Sequence, residues 1–210
     1  TIALAGLAAR GLLERFPIPR HEIDSIVWGG VILPGMAPNV GREIALDFAL
    51  GFEATRASAT LHVVSNPAAF GSPMLRLNGD GLTAEAVTVD GEAVNDWRME
   101  GNDLLIDLPG TAHTVAVTTT INPAANSQLM GLYASNGMLC TQCEAEGFRR
   151  IAFFPDRPDV LSIYTVRMAG DKTAFPVLLS NGNCTATGEG ADGSHWAEWH
   201  DPWPKPSYLF

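Results

Sequence analysis

Between Cys140 and Arg150 the sequence reads Cys-Thr-Gln-Cys-Glu-Ala-Glu-Gly-Phe-Arg-Arg, which gathers two carboxylates, an amide and two thiols into one short segment. Carboxylates held in a fixed segment bind ammonium groups and other cations through charge-assisted hydrogen bonds. The C-x-x-C spacing of Cys140 and Cys143 is that of redox dithiols and of half a zinc site. Redox use wants a helix N-terminus in a βαβ setting, and a zinc site wants two more ligands. Cys184 supplies one and no histidine lies close by in sequence, so packing of two small residues is the expectation. Glu144 and Glu146 alternate, which on an extended segment would put both on one face, and Arg149 or Arg150 is the expected partner of Glu146. His195 and His200 are five apart, not the four that would put both on one helical face, and on a strand they would face opposite sides. Trp196, Trp199 and Trp203, interleaved with Pro202, Pro204 and Pro206, could line a sugar or peptide groove, but core and edge packing is the more usual use of such a cluster.

The elements that must position these residues are mostly strands. Ile2, Leu4, Leu7, Ala8, Leu12 and Leu13 recur at helical spacing until Phe16-Pro17 ends the pattern, and Ile23 to Leu33 reads as a strand. From Phe48 onward the period changes to two: Ala59, Leu61 and Val63, then Leu104, Ile106 and Leu108, then Val115, Val117 and Ile121. Asn78-Gly79, Asp90-Gly91, Gly101-Asn102 and Pro109-Gly110 are spaced as short antiparallel connections, and Gly188 to Gly193 reads as a hairpin loop. Arg157-Pro158-Asp159 and Leu179 to Asn183 supply turn chemistry that would hold the Cys140 to Arg150 segment between strands. The expected fold is mainly β, an antiparallel sandwich or saddle preceded by a short helix–strand segment.

With 210 residues, 46% of them hydrophobic and 17% charged, the chain can bury a substantial core. A net charge of -10 argues against a nucleic-acid surface, which needs clustered Lys and Arg. Three cysteines, an odd number, make no disulfide framework and point to a reducing, cytoplasmic setting. Thr1 to Leu13 lacks a preceding basic segment and is interrupted by Arg10, so it does not read as a signal peptide. No stretch approaches the ~18 apolar residues of a membrane span. Both ends, a first residue other than Met and a last apolar run, read as cut.

Several ordered blocks carry a resemblance. Leu75 to Gly79, Ile121 to Asn126, Gly131-Leu132-Tyr133, Cys140 to Arg150, Asp156 to Val160, Leu178 to Asn183 and Asp201 to Pro206 make residues 47–210 closely resemble the N-terminal β domain of the bacterial aminopeptidase N family, zinc-dependent alanyl aminopeptidases of the gluzincin type. Residues 1–46, through Gly11-Leu12-Leu13, Val27 to Val31 and Asn39 to Leu46, are similar to the N-terminal region of thiolases of the acetyl-CoA acyltransferase type. A thiolase would present its nucleophile as Arg-Ala-Cys, whereas Arg56-Ala57 is followed by Ser58, so the chain reads as a composite joined near Leu46.

The aminopeptidase resemblance implies that Glu144 binds the α-amine of a peptide substrate and that Gln142 lines the pocket for the first side chain. It assigns Glu146 no catalytic part. It also implies a zinc ion, a general base and a transition-state tyrosine on a catalytic domain beyond this chain. The sequence has no H-E-x-x-H, no G-A-M-E-N-type segment and no Ser-His-Asp set. No catalytic residue and no metal ligand is therefore expected here, and the isolated chain should be inactive. The expected partners are peptides with a free N-terminus and the catalytic domain, with neither nucleic acid nor membrane among them. A stand-alone β-sandwich interaction module, using the Trp-rich end as partner surface, is the alternative from another class. A thiolase-related fusion fragment is a third.

Overall fold

A computed structural model of the chain describes residues 39–65, 74–110 and 112–210. The expected helix at the N-terminus, the strand at Ile23 to Leu33 and most of the thiolase-like segment lie outside the described residues. The strands are β1 (Asn39–Ala49), β2 (Thr55–Ser65), β3 (Met74–Leu77), β4 (Ala86–Val89), β5 (Glu92–Ala93), β6 (Trp97–Glu100) and β7 (Asp103–Asp107). They continue with β8 (Ala112–Ile121), β9 (Gly131–Ser135), β10 (Met138–Gln142), β11 (Ser162–Asp171), β12 (Asn183–Glu189) and β13 (Ser194–Lys205). The fold is mainly β, as the alternation predicts, and its sheets are those of a sandwich.

The larger sheet has the order β12-β13-β11-β1-β2-β8-β4-β5, and the smaller has the order β3-β7-β6. Every pairing in both is antiparallel except β1 with β11, which run parallel from Glu43 opposite Ile163 to Ala49 opposite Ala169. Ile44, Leu46 and Phe48 of β1 are buried while Glu43, Ala45 and Asp47 are exposed, the two-residue period of a half-buried strand. Ala57, Ala59, Leu61 and Val63 of β2 and Val115 and Val117 of β8 extend the same apolar face. Leu75, Leu77, Leu104 and Ile106 of the smaller sheet pack in the same core, with Phe148, Phe153 and Phe154. Leu105 is buried too, so β7 carries apolar side chains on both faces.

Two of the expected turns close hairpins. Asp90 and Gly91, at φ 53° and 87°, join β4 to β5 as a type I′ turn, and Gly101, at φ 62°, opens the two-residue link from β6 to β7. The Gly-rich stretch before Gly193 likewise joins β12 to β13. The other two differ. Asn78 forms an isolated antiparallel bridge with Phe154, exchanging N–H···O bonds of 2.8 and 3.1 Å, and the chain goes on to β4 of the larger sheet instead of turning back. Pro109-Gly110 carries the chain from the smaller sheet to the larger one. Among the described residues no helix is long and apolar enough to cross a membrane.

Candidate functional site

The Cys140 to Arg150 segment is the end of a hairpin followed by a single tight turn. Strands β9 and β10 pair from Gly131–Gln142 to Ser135–Met138, closed by Asn136 and Gly137 at φ 49° and 77°, a type I′ turn. Asn126 ties the approach to this hairpin by donating from Nδ2 to the carbonyls of Met130 (2.7 Å) and Leu132 (2.9 Å). Past Gln142 the chain dives in at Cys143, comes out for Glu144, Ala145 and Glu146, and dives in again at Gly147 and Phe148. The Gly147 N–H donates to the Cys143 carbonyl at 2.9 Å and closes the turn; a 3₁₀ turn, Phe148–Arg150, follows.

Gly147 is required here by close approach. A Cβ at this position would lie 2.8 Å from Cys143 Cα and 3.1 Å from Gly131 N, and nearer still to the Gln142 carbonyl oxygen. Phe148 then anchors the turn, its ring edge-on to Phe154 at 5.1 Å and to Phe210 at 5.2 Å between centroids. Glu144 thus stands exposed at the apex of a turn whose two ends are buried. Gln142 is exposed as well, and its Oε1 lies 3.4 Å from the Glu144 N–H. The Glu144–Ala145 peptide is cis.

Because this segment is a turn and not an extended strand, the expectation that Glu144 and Glu146 share a face by alternation does not apply. Glu146 instead reaches Arg149, Oε1 to Nη2, at 3.3 Å. Arg149 is held from its other side by Asp156, which is 3% exposed. Asp156 Oδ2 accepts from Arg149 N–H (3.1 Å) and Nε (2.9 Å), and the Asp156 carbonyl accepts from Nη2 (2.8 Å). The other carboxylate oxygen, Oδ1, accepts from the Ser207 hydroxyl. Asn78 Oδ1 accepts from the Asp156 N–H at 3.1 Å. Arg150 completes the frame by pairing with Asp80 at 2.7 Å. Asp156 is visible in the sequence only within the block Asp156 to Val160 that resembles the aminopeptidase family, and neither it nor Ser207 is singled out there.

All three cysteines carry free thiols. Cys143 is buried, and desolvation first, then the Asp156 charge, pushes its thiol up to about 12, so it stays protonated and unreactive at neutral pH. Cys140 is only half-buried, so of the C-x-x-C pair only Cys143 fits the packing expectation fully, and Cys184 is exposed. His195 and His200 lie on opposite faces of β13: His195 Nε2 is 2.6 Å from the Phe175 carbonyl, and His200 Nδ1 is 3.0 Å from Thr165 Oγ1 on the neighbouring strand. Trp196 stacks under the Arg167 guanidinium at 4.6 Å and Trp199 donates to the Leu178 carbonyl, both packing roles, whereas Trp203 is exposed. Among the described residues no group of three or more His, Cys, Asp or Glu is arranged to hold a metal.

Comparison with known proteins assigns the domain. Aminopeptidase N of Escherichia coli strain K12 is 44% identical over 168 residues, which cover 80% of this chain and 19% of that protein. The crystal structure of Legionella pneumophila aminopeptidase A in complex with aspartic acid superposes with a TM-score of 0.78 at 31% identity, over 82% of this chain and 21% of that one. An M1 zinc metallopeptidase mutant from Deinococcus radiodurans, bound to a Tyr-ser-ala substrate, shares the fold at 17% identity with a TM-score of 0.70, over 81% of this chain and 41% of its own. The chain spans about a fifth of the length of the curated relative from Escherichia coli. The thiolase resemblance of residues 1–46 finds no support among these matches. The profile of the Peptidase M1 N-terminal domain matches residues 73–209, and the chain belongs to that family.

Proposed function

We propose that this chain is the substrate-anchoring part of a longer zinc-dependent aminopeptidase that removes N-terminal residues from peptides. In this reading Glu144 accepts hydrogen bonds from the substrate ammonium and Gln142 shapes the pocket for the first side chain. The observation that carries it is the presentation of Glu144: an exposed carboxylate on a turn whose flanks, Cys143 and Gly147, are buried and joined by a backbone hydrogen bond. A carboxylate so fixed loses little freedom on binding an amine, and its distance from the reacting carbonyl would count off one residue from the peptide end. The peptide and amino-acid complexes of its structural relatives support the same assignment. Zinc would be held by residues outside those described here. The exposed side chains of Leu179, Trp203 and Leu209 suit burial against a following catalytic domain. The three free thiols suit a cytoplasmic location.

Reading the source gene past codon 210 is the first test, and an H-E-x-x-H with a distal Glu is the expected finding. In the full-length enzyme, Glu144→Ala should lower kcat/KM on alanine anilide by about 10- to 150-fold, the loss of a hydrogen bond to a charged group worth about 1.5–3 kcal/mol. Glu144→Gln should recover part of the loss. Unchanged kinetics in both variants would remove Glu144 from the site. A stop codon directly after Phe210 would favour instead an interaction module that uses the surface around Trp203.

A further inference from the structure

The two oxygens of the Asp156 carboxylate hold different parts of the molecule. Oδ2 takes the backbone N–H and the Nε of Arg149, within the structure that carries Glu144, while Oδ1 takes the hydroxyl of Ser207 in the C-terminal segment. Two more contacts join the same two parts: the Phe210 ring packs edge-on to Phe148, and the Phe210 carbonyl lies 3.5 Å from the Thr141 hydroxyl, one residue before Gln142. Asn181 Nδ2 holds the Leu209 carbonyl at 2.9 Å from a third direction. The amine-anchoring turn and the segment Ser207–Phe210 are therefore fixed to each other through one buried carboxylate.

We propose that Asp156 is a positioning residue: with Arg149 and Ser207 it sets the place of Glu144 relative to whatever is attached beyond Phe210. The proposal rests on the reading of Glu144 as the amine anchor. Its physical reason is that Glu144 is exposed and, among the described residues, its carboxylate has no hydrogen bond or ion pair to fix it, so its position is inherited from the turn's buried ends. Arg149 directly follows the fully buried Phe148, and its guanidinium spans from Glu146 in the turn to the buried Asp156. A rigid frame of this kind matters to catalysis because displacement of a binding group by about 1 Å can cost on the order of a hundredfold in rate.

The test has two arms. In the 210-residue chain, hydrogen exchange is measured at the amides of Gly147, Arg149 and Arg150 for wild type, Asp156→Asn and Ser207→Ala. Asparagine keeps the size but cannot accept at both positions, and Ser207→Ala removes a single hydroxyl, so it tests the idea even where Asp156→Asn fails to fold. At least tenfold faster exchange in the turn, with β2 and β8 amides unchanged, is expected; unchanged turn amides in both variants would overturn the proposal. In the full-length enzyme, Asp156→Asn should raise KM for alanine anilide at least tenfold while kcat falls less than threefold, and in a Glu144→Ala background it should add less than twofold. A residue that only stabilises the fold would lower the amount of active enzyme and leave KM where it was, and that result would also overturn the proposal. If Glu144→Ala itself leaves KM unchanged, the anchor reading fails, and the exchange arm still decides whether Asp156 orders the turn.

Discussion

Replacing Gly147 by alanine sets two effects against each other. Its φ of -83° and ψ of -22° are ordinary right-handed helical values, so alanine needs no unusual conformation. Restricting the unfolded chain would then stabilise the protein by about 0.4–1 kcal/mol. Against this, the new methyl would sit 2.8 Å from Cys143 Cα and 3.1 Å from Gly131 N, and closer to the Gln142 carbonyl. These are backbone atoms of a closed hairpin and a closed turn, which cannot rotate aside as a flexible side chain would. Overpacking of this kind costs about 1–3 kcal/mol. Any opening that relieves it stretches the Gly147 N–H to Cys143 C=O bond, worth about another 0.5–1.5 kcal/mol. The steric side wins, with a net loss of about 1–3 kcal/mol. For a domain of this size that is a fall of roughly 3–10 °C in Tm. Thermal melts followed by circular dichroism measure it, and exchange at Arg149 and Arg150 locates the damage. A Tm equal to or above wild type would refute the reasoning, since it would mean that the hairpin and turn yield freely.

Three further outcomes follow from buried groups. Tyr164 is 1% exposed and its hydroxyl has no hydrogen-bond partner among the described residues, so Tyr164→Phe should leave stability unchanged or raise it by up to about 1–2 kcal/mol in urea melts; a clear loss would point to a partner such as a bound water. Desolvation raises the Cys143 thiol from 9.0 to about 12 and raises the Tyr164 phenol as well, so the unfolded chain gives up these protons first as pH rises. The Cys143 contribution to stability is complete below about pH 9 and is lost between about 9 and 12, the Tyr164 loss begins only above about pH 10, and Cys143→Ala should flatten the earlier part of that alkaline decline in melts run across this range. Under native conditions at neutral pH a thiol reagent should modify exposed Cys184 rapidly and Cys143 only after unfolding, which mass spectrometry of the labelled peptides reads directly.

The strands β2, β7 and β8 are legible because each carries its own alternation. Ala59, Leu61 and Val63 are buried and His62 between them is exposed, so the period of two marks both strand and buried face. Asp90-Gly91 declared a hairpin through residues that accept positive φ. Asn136-Gly137 carried the same signal and went unused, although it closes the hairpin that leads to Gln142. What was not legible is long-range. Nothing near Asn78 announces Phe154, the parallel pairing of β1 with β11 has no crossover helix to mark it, and Asp156 meets Ser207 51 residues further on. Glu144 stood out through resemblance and not through periodicity, since a turn with buried ends has no repeating pattern to read.

The exposure of Glu144 also limits what the isolated domain can do. A carboxylate and an ammonium about 4 Å apart attract by only about 1 kcal/mol in water, and by several times more once solvent is excluded and the effective dielectric constant falls to about 20. In the proposed reading the closed turn would lower the ordering cost of Glu144 as an anchor, but nothing among the described residues covers it from solvent. The 210-residue chain should therefore bind alanine amide no more tightly than about 100 mM, with Glu144→Ala changing little, because about 1 kcal/mol is less than a tenfold effect. Nuclear magnetic resonance titration of the Gly147 and Arg149 amides measures this directly. Millimolar or tighter binding that Glu144→Ala abolishes would refute it, for the anchor would then be working without a second body to exclude water. Weak binding by the domain together with strong dependence on Glu144 in the full-length enzyme would place the gain in affinity in the closure between the two.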